Sequence, residues 1–164
     1  IIRLCVAEGW KNRDGKALTP ETVTLYEVNT YIIGPYTKHS QMSFVERLPS
    51  TAGTQPPRWF VSHFWGEPVV DFMSCIKTHR KDFRYNHNDN TDRRGGGMTN
   101  DTPVWICSYA NNQNDLGASN MADPGKSSFI KAMRIANFRT LTMLDRKAEV
   151  LTRIWVIFEL YTTL

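Results

Sequence analysis

The stretch Arg58-Trp-Phe-Val-Ser-His63 decides the predicted fold, because it is a short run of apolar and β-forming residues typical of a buried strand. Two similar runs follow at 103–109 and 139–144. Helical patterns come after each run, and they begin near Pro68, at 127–129 and at Val150. The alternation predicts an α/β fold, a three-layer parallel sheet with helices on both faces.

An N-terminal helical extension precedes this pattern. Thr19-Pro-Glu-Thr22 predicts a helix start, and Gly34-Pro35 predicts its end. A second short helix is expected over 41–48, and the Pro- and Ser-rich stretch 49–57 has the composition of a linker. The domain prediction is therefore an extension and linker over 1–57 and an α/β domain over 58–164.

The bulk composition is that of a globular protein with one main domain. The chain has 164 residues, of which 41% are hydrophobic and 22% charged, and a formal net charge of +4. Its basic residues are scattered, so no nucleic-acid surface is indicated. Since no apolar run reaches the length of a membrane span, no transmembrane segment is predicted.

The cysteines indicate the compartment. Cys5, Cys75 and Cys107 are too widely spaced for a CxxC metal pair and too few for paired disulfides. Reduced thiols are expected, and a reducing intracellular compartment is favoured, either the cytoplasm or an organelle after processing. The first residue is Ile1, and the last, Leu164, falls within a predicted helix. We therefore expect a piece of a longer protein.

Three motifs suggest other chemistry but lack the residues for it. Gly125-Lys-Ser-Ser128 resembles the end of a P-loop, but Asn120 stands where the pattern requires glycine, so a serine-capped helix start is expected. The histidines have no metal-ligand spacing, and no metal site is predicted. Ser62 and His63 are adjacent on a strand and should point to opposite faces, which excludes a catalytic pair.

The last helix carries the strongest candidate residue. In Thr152-Arg-Ile-Trp-Val-Ile-Phe-Glu-Leu160 a carboxylate, Glu159, lies on a helix that is apolar nearly all round. A buried carboxylate must be paired, protonated or functional, because burying a bare charge is costly. Arg153 is a candidate partner if the role is structural, and Trp155, four residues before Glu159, shares its helix face.

Three of these stretches, taken in order, resemble the TIR (Toll/interleukin-1 receptor) domain family over about 58–164. Phe60-Val-Ser-His-Phe-Trp-Gly-Glu67 resembles the first strand and loop of plant members, which read Phe-Leu-Ser-Phe-Arg-Gly-Glu-Asp. Ser127-Ser-Phe-Ile-Lys-Ala-Met-Arg-Ile-Ala136, followed by the predicted strand Thr140–Leu144, is similar to their helix with Lys-Ala-Ile and the following strand. Trp155-Val-Ile-Phe-Glu-Leu160 resembles the motif Trp-x-x-x-Glu-Leu. Val61-Ser-His-Phe-Trp-Gly-Glu-Pro68 and Thr152-Arg-Ile-Trp155 also resemble an uncharacterised TIR-like group of algal type.

The resemblance implies the TIR/flavodoxin-like form of the predicted fold. In parallel sheets ligands bind outside the carboxyl ends of the strands, so a site is expected at 62–67, 109–113 and 145–152. In enzymatic members the glutamate matching Glu159 cleaves NAD, so Glu159 is the catalytic candidate. The candidate NAD-binding residues are those of the first loop and the helix face: Ser62, His63, Trp65, Gly66, Glu67 and Trp155. The chain departs from the family, because His63-Phe64-Trp65 replaces the usual Phe-Arg, residues 84–102 are longer than the norm, and the last two strands are missing.

Two functions are therefore open. The first is a TIR-like protein-interaction or accessory module, acting through protein partners or self-association, or as a subunit of a larger assembly, with no cofactor required. The second is a TIR-type NAD+ nucleosidase, a hydrolase that uses Glu159 and takes NAD as substrate. The enzyme predicts a cleft shared by Glu159 and the 62–67 loop, whereas the module predicts a packed Glu159 and a space filled by Trp65 or the N-terminal extension.

Overall fold

The computed structural model describes residues 1–48, 55–82, 98–115 and 124–163. Its strands and α-helices follow in the order α1 (Ile2–Ala7), α2 (Leu25–Val28), α3 (Gly34–Thr37), α4 (Phe44–Arg47), β1 (Trp59–Ser62), α5 (Val69–Asp82), β2 (Val104–Trp105), α6 (Cys107–Ala110), α7 (Ser128–Ile135), β3 (Thr140–Thr142) and α8 (Ile154–Thr163). A π-helical turn spans Asn29–Ile33, and 3-10 turns span Pro124–Lys126 and Glu149–Thr152.

The three strands form one parallel sheet in the order β2-β1-β3. Phe60 of the central strand lies opposite Trp105 on one side and Thr140 on the other. A strand with a neighbour on both edges is shielded most, and Phe60 and Val61 are 0% and 1% exposed. The predicted α/β fold with a parallel sheet is confirmed.

Consecutive residues of β1 contact different helices. Phe60 packs with Ile130 and Met133 of α7, whereas Val61 packs with Phe72 of α5 and with Met143. Successive side chains of a strand point to opposite faces, so one β-strand contributes to two apolar clusters. This alternation determines which face each residue at the end of β1 will reach.

The second predicted strand is shorter than expected. The run 103–109 contains β2, but Cys107–Ala110 is helical, and the amides of Tyr109 and Ala110 donate to the Ile106 carbonyl at 3.0 Å each. The prediction of a strand is therefore wrong for the second half of this run. An apolar run marks burial, but it does not mark where the backbone turns out of the sheet.

The helix predicted between Thr19 and Gly34 also differs from its prediction. It begins at Leu25 rather than after Thr19, because Thr24 and Glu27 form a reciprocal capping box there. It does not stop at Gly34-Pro35 either, since the π-helical turn leads into α3. Pro35 is tolerated because it lies in the first turn of α3, where an amide hydrogen is not needed.

The N-terminal segment packs against the loop after β1. The Leu25 amide donates to the Trp65 carbonyl at 3.1 Å, and the Val69 amide donates to the Val23 carbonyl at 2.8 Å. Trp65 also packs on the N-terminal core, in which Val23 and Leu25 are buried. The helical extension and the start of α5 therefore share one apolar cluster.

The structure also contains the other predicted elements. Helix α4 is capped by Ser43, and α7 is capped by Ser127 as expected. Strand β3 lies within 139–144, and α8 lies within 150–164 and follows a 3-10 turn. Predicted linker or loop residues 49–54, 84–97 and 116–123 lie outside the described residues. Cys5, Cys75 and Cys107 are free cysteines. Among the described helices, none has the length and apolarity to cross a membrane.

Candidate functional site

Glu159 lies on the inward face of α8, close to the end of β1. It is 4% exposed, and Ser62, the last residue of β1, is 3% exposed. Within the described residues neither Glu159 Oε2 nor Ser62 Oγ has a hydrogen-bond partner of regular geometry. The glutamate predicted from its helix is therefore a buried carboxyl group beside a buried hydroxyl.

The surroundings of Glu159 favour its protonated form. Burial raises its pKa from 4.5 to about 7, and the nearby Ser62 hydroxyl and Arg153 charge only partly oppose that shift. Arg153 Nη1 instead donates to the backbone carbonyl of His63 at 3.0 Å. The arginine thus ties the start of α8 to the end of β1, and Glu159 carries a proton over much of the acidic range.

His63 lies on the other side of the strand from Ser62, as their adjacency predicts. Its ring contacts Phe72 of α5 with centroids 5.2 Å apart, and Nδ1 lies 3.2 Å from the Val61 carbonyl oxygen. Burial lowers the pKa of His63 to about 4; the Val61 hydrogen bond opposes that shift, and the Arg153 charge adds to it. The neutral imidazole packs between sheet and helix and does not join Glu159.

Trp65 belongs to the packed interior between the loop and the N-terminal segment. Its Nε1 donates to Cys107 Sγ at 3.1 Å, and its ring lies 5.6 Å from that of Tyr26. Cys107 is partly exposed as a residue, but its crowded thiol has a pKa raised to about 11, chiefly by burial, with Glu159 adding to the effect. Trp65 is thus held by contacts within the chain.

Trp155 is half-buried on the same helix as Glu159. Its ring stacks on Phe129 of α7 with centroids 6.1 Å apart and an interplanar angle of 18°. It also meets Phe158 edge to face at 6.3 Å. The tryptophan therefore contributes to the contact between α7 and α8.

Gly66 and Glu67 line a cleft of about 680 Å³ at the carboxyl ends of β1 and β3. Burial, together with the nearby carboxylates of Asp145 and Asp71, raises the pKa of Glu67 from 4.5 to about 7. Glu159 is not among the lining residues of this cleft. The candidates predicted for one site are therefore distributed over separate surroundings.

Sequence reasoning did not single out Cys107 as a member of these surroundings. Asp145 lies in the 145–152 segment that was expected at the site, because it follows β3 at the edge of the sheet where ligands bind in such folds. Cys107 left no comparable signal, since its contact with Trp65 joins residues 42 positions apart.

The chemistry available differs between the two regions. A protonated carboxyl group at Glu159 beside Ser62 can exchange a proton or, once ionised, stabilise positive charge. The cleft at Glu67 presents carboxylates that attract a cation. Across the described residues, no group of three His, Cys, Asp or Glu side chains is arranged to hold a metal ion.

Comparisons of the chain with family models, with curated proteins and with solved structures find no match.

Proposed function

We propose that the chain is a TIR-like protein-interaction or accessory module with the three-layer, flavodoxin-like arrangement. The resemblance of the 60–67, 127–140 and 155–160 segments motivates the family. The parallel sheet, with α5 packed on Val61 and α7 packed on Phe60, supports the arrangement. The proposed function is association with another protein surface through the outer face of α8.

The outer face of α8 is the observation that carries this function. Its exposed side chains are apolar and at helical spacing, Ile154 at 78%, Ile157 at 58% and Tyr161 at 81%, and Leu151 of the preceding 3-10 turn is 43% exposed. Isolated exposed apolar residues are ordinary, but a contiguous stripe of large ones marks an interaction surface. A partner that covers the stripe would remove these side chains from water.

The inner face of the same helix is already used by the chain itself. Val156 and Glu159 are 2% and 4% exposed, and Phe158 packs on the cluster around Phe60. The outer stripe is therefore not required for the contact of α8 with the sheet. A second copy of the chain offers the simplest complementary surface, with two α8 helices packed antiparallel about a two-fold axis.

We predict concentration-dependent self-association that depends on this stripe. Sedimentation velocity should show a dimer whose dissociation constant rises at least tenfold in Ile157→Asp, because a charge would be buried at the contact. Ile135→Asp on α7 is the matched control, since Ile135 and Ile157 are both 58% exposed. A wild-type chain that stays monomeric at high concentration, or equal effects of the two substitutions, would contradict association through α8.

A second candidate function is NAD cleavage, and the state of Glu159 favours it. The buried carboxyl has a pKa of about 7, and its Oε2 has no hydrogen-bond partner among the residues that the structure describes, features that are common at functional sites. Cleavage of the nicotinamide–ribose bond passes through an oxocarbenium-like state, which an ionised Glu159 would stabilise. Against this candidate stands the position of Trp65, which fills the interior beside the N-terminal segment.

For the enzymatic candidate, the prediction concerns nicotinamide release from NAD. If Glu159 is catalytic, Glu159→Gln should lower the rate at least a hundredfold, because the amide cannot carry the negative charge that stabilises the transition state. The exposed carboxylate substitution Glu8→Gln should leave the rate unchanged. Chromatographic detection of nicotinamide is the measurement, and the absence of release by the wild type would eliminate this candidate.

A further inference from the structure

We propose that the cleft between the loops after β1 and β3 binds an organic cation, an ammonium or guanidinium group, through Glu67, Asp71 and Asp145. We call this feature the acidic cleft, and its walls are the 64–68 loop, the first turns of α5 and the 144–147 loop. None of its lining residues belongs to the exposed stripe of α8, so this proposal and the proposed association can fail separately.

The charge of the acidic cleft is opposite to that of the chain. The protein as a whole has a formal net charge of +4. The acidic residues that line the cleft are Glu21, Glu67, Asp71, Asp145 and Glu149. Several carboxylates around one concave surface focus a negative potential there, and this potential attracts cations.

Two basic residues at the cleft offset this charge only weakly. Arg146 lies 3.9 Å from Asp71 and Lys147 lies 3.8 Å from Glu149. Their side chains are 92% and 81% exposed, so both pairs are solvated and individually weak. A ligand with a better-placed positive charge can therefore replace Arg146 beside Asp71.

Glu67 is the buried acceptor that lacks a donor. The residue is only 5% exposed, and its Oε2 has no hydrogen-bond partner in the described part of the chain. Its neighbours Asp145 and Asp71 raise its pKa further above the value that burial alone would produce. A cation between the three carboxylates would satisfy the free oxygen and remove the mutual repulsion in one step.

The two aspartates are positioned before any ligand arrives. Asp145 accepts hydrogen bonds from the amides of Lys147 at 3.0 Å and Val150 at 3.1 Å. Asp71 lies in the first turn of α5, 3.9 Å from Arg146. Fixed carboxylates lose little side-chain freedom on binding, which favours affinity.

The shape of the acidic cleft favours an organic cation over a metal ion. No three carboxylates in the described residues converge closely enough to ligate a metal. The volume of about 680 Å³ is in the range of small-molecule sites. Phe64 also lines the cleft, and an aromatic wall attracts ammonium and guanidinium groups through its π face.

Gly66 allows Phe64 to occupy this position. A Cβ atom at residue 66 would meet Phe64 Cε1 at 2.5 Å and Cζ at 2.6 Å, so the ring lies directly against the glycine backbone. The loop after β1 therefore supplies both the aromatic wall, Phe64, and the buried carboxylate, Glu67.

Isothermal titration calorimetry tests the proposal with two guanidinium probes, agmatine and N-acetyl-arginine amide. We expect binding to the wild-type chain and at least tenfold weaker binding to Glu67→Gln. Glu8→Gln, an exposed substitution outside the cleft, should bind like the wild type. The glutamine variant is isosteric, and its melting curve verifies that it is folded.

The outcomes separate the possible sources of the cation. Binding of agmatine alone assigns the acidic cleft to a free small amine, whereas binding of both probes assigns it to a basic side chain presented by a protein. Absence of binding by either probe at millimolar concentration overturns the proposal. Equal affinity of Glu67→Gln, or tighter binding of Ca²⁺ or Mg²⁺ than of either probe, overturns it as well.

Discussion

Phe60→Ala is expected to lower the free energy of unfolding by about 3–5 kcal/mol, the usual cost of removing a buried aromatic ring. Phe60 is fully buried in the central strand, stacked on Trp105 at 5.0 Å and close to Phe129 at 6.3 Å. Its loss would leave a cavity between the sheet and α7. Urea denaturation followed by tryptophan fluorescence measures the change.

Phe138→Ala is the matched control for this prediction. The same group is removed there, but Phe138 is 38% exposed and follows α7 rather than filling the core. The control should therefore cost much less. If the two substitutions destabilised the chain equally, the ring of Phe60 would not be the centre of the cluster between β1, β2 and α7.

Glu159→Gln is expected to become increasingly stable relative to the wild type as the pH rises from about 4.5 to about 7. In this window the unfolded glutamate ionises, but the folded one keeps its proton, since burial raises its pKa to about 7. The wild type therefore loses stability with rising pH, and the glutamine variant lacks this loss. The interval from 4.5 to about 7 corresponds to about 3 kcal/mol at most.

Denaturant unfolding of both proteins at a series of pH values measures this difference. His63 acts in the opposite direction, because its pKa of about 4 makes stability rise with pH up to its ordinary value of 6.5. Glu67 acts in the same direction as Glu159. Both groups are present in each protein, so the difference between the two curves reports on Glu159. If the two curves ran parallel, the pKa of Glu159 would be the same in the folded and in the unfolded chain.

The same measurement connects stability to the two candidate functions. A Glu159 that lowers stability as the pH rises from about 4.5 to about 7 is compatible with a packed, protonated residue in an interaction module. If Glu159→Gln gained stability and also lost nicotinamide release, the carboxylate would be retained for catalysis at the expense of folding. The two experiments together therefore distinguish a packing role from a catalytic one.

The prediction of the fold succeeded where local signals were sufficient. The apolar run around Phe60 was recognised as a strand, and Ser127 was recognised as a helix cap. It failed at Cys107–Ala110 and at Gly34-Pro35. At these places the path of the backbone depends on packing partners that are distant in the chain, and local composition does not report them.

The candidate site was predicted only in part, because some of its contacts also depend on partners that are distant in the chain. The alternation rule correctly separated Ser62 from His63, and the apolar helix around Glu159 correctly indicated a buried carboxylate. Neither signal could show that Trp65 contacts Cys107, or that Glu67 faces Asp145. These contacts join different loops, and their geometry follows from the register of the strands.

By itself the sequence determined the α/β alternation, the buried central strand and an isolated carboxylate on an apolar helix, because these follow from the periods of the strand and the helix. Only the tertiary structure decided that Ser62 approaches Glu159, that Trp65 is packed within the chain, and that Glu67 belongs to a separate acidic cleft. The physical reason is that burial and charge are properties of the assembled surroundings. A glutamate acquires a pKa of about 7 only when the sheet, the helices and the neighbouring charges enclose it.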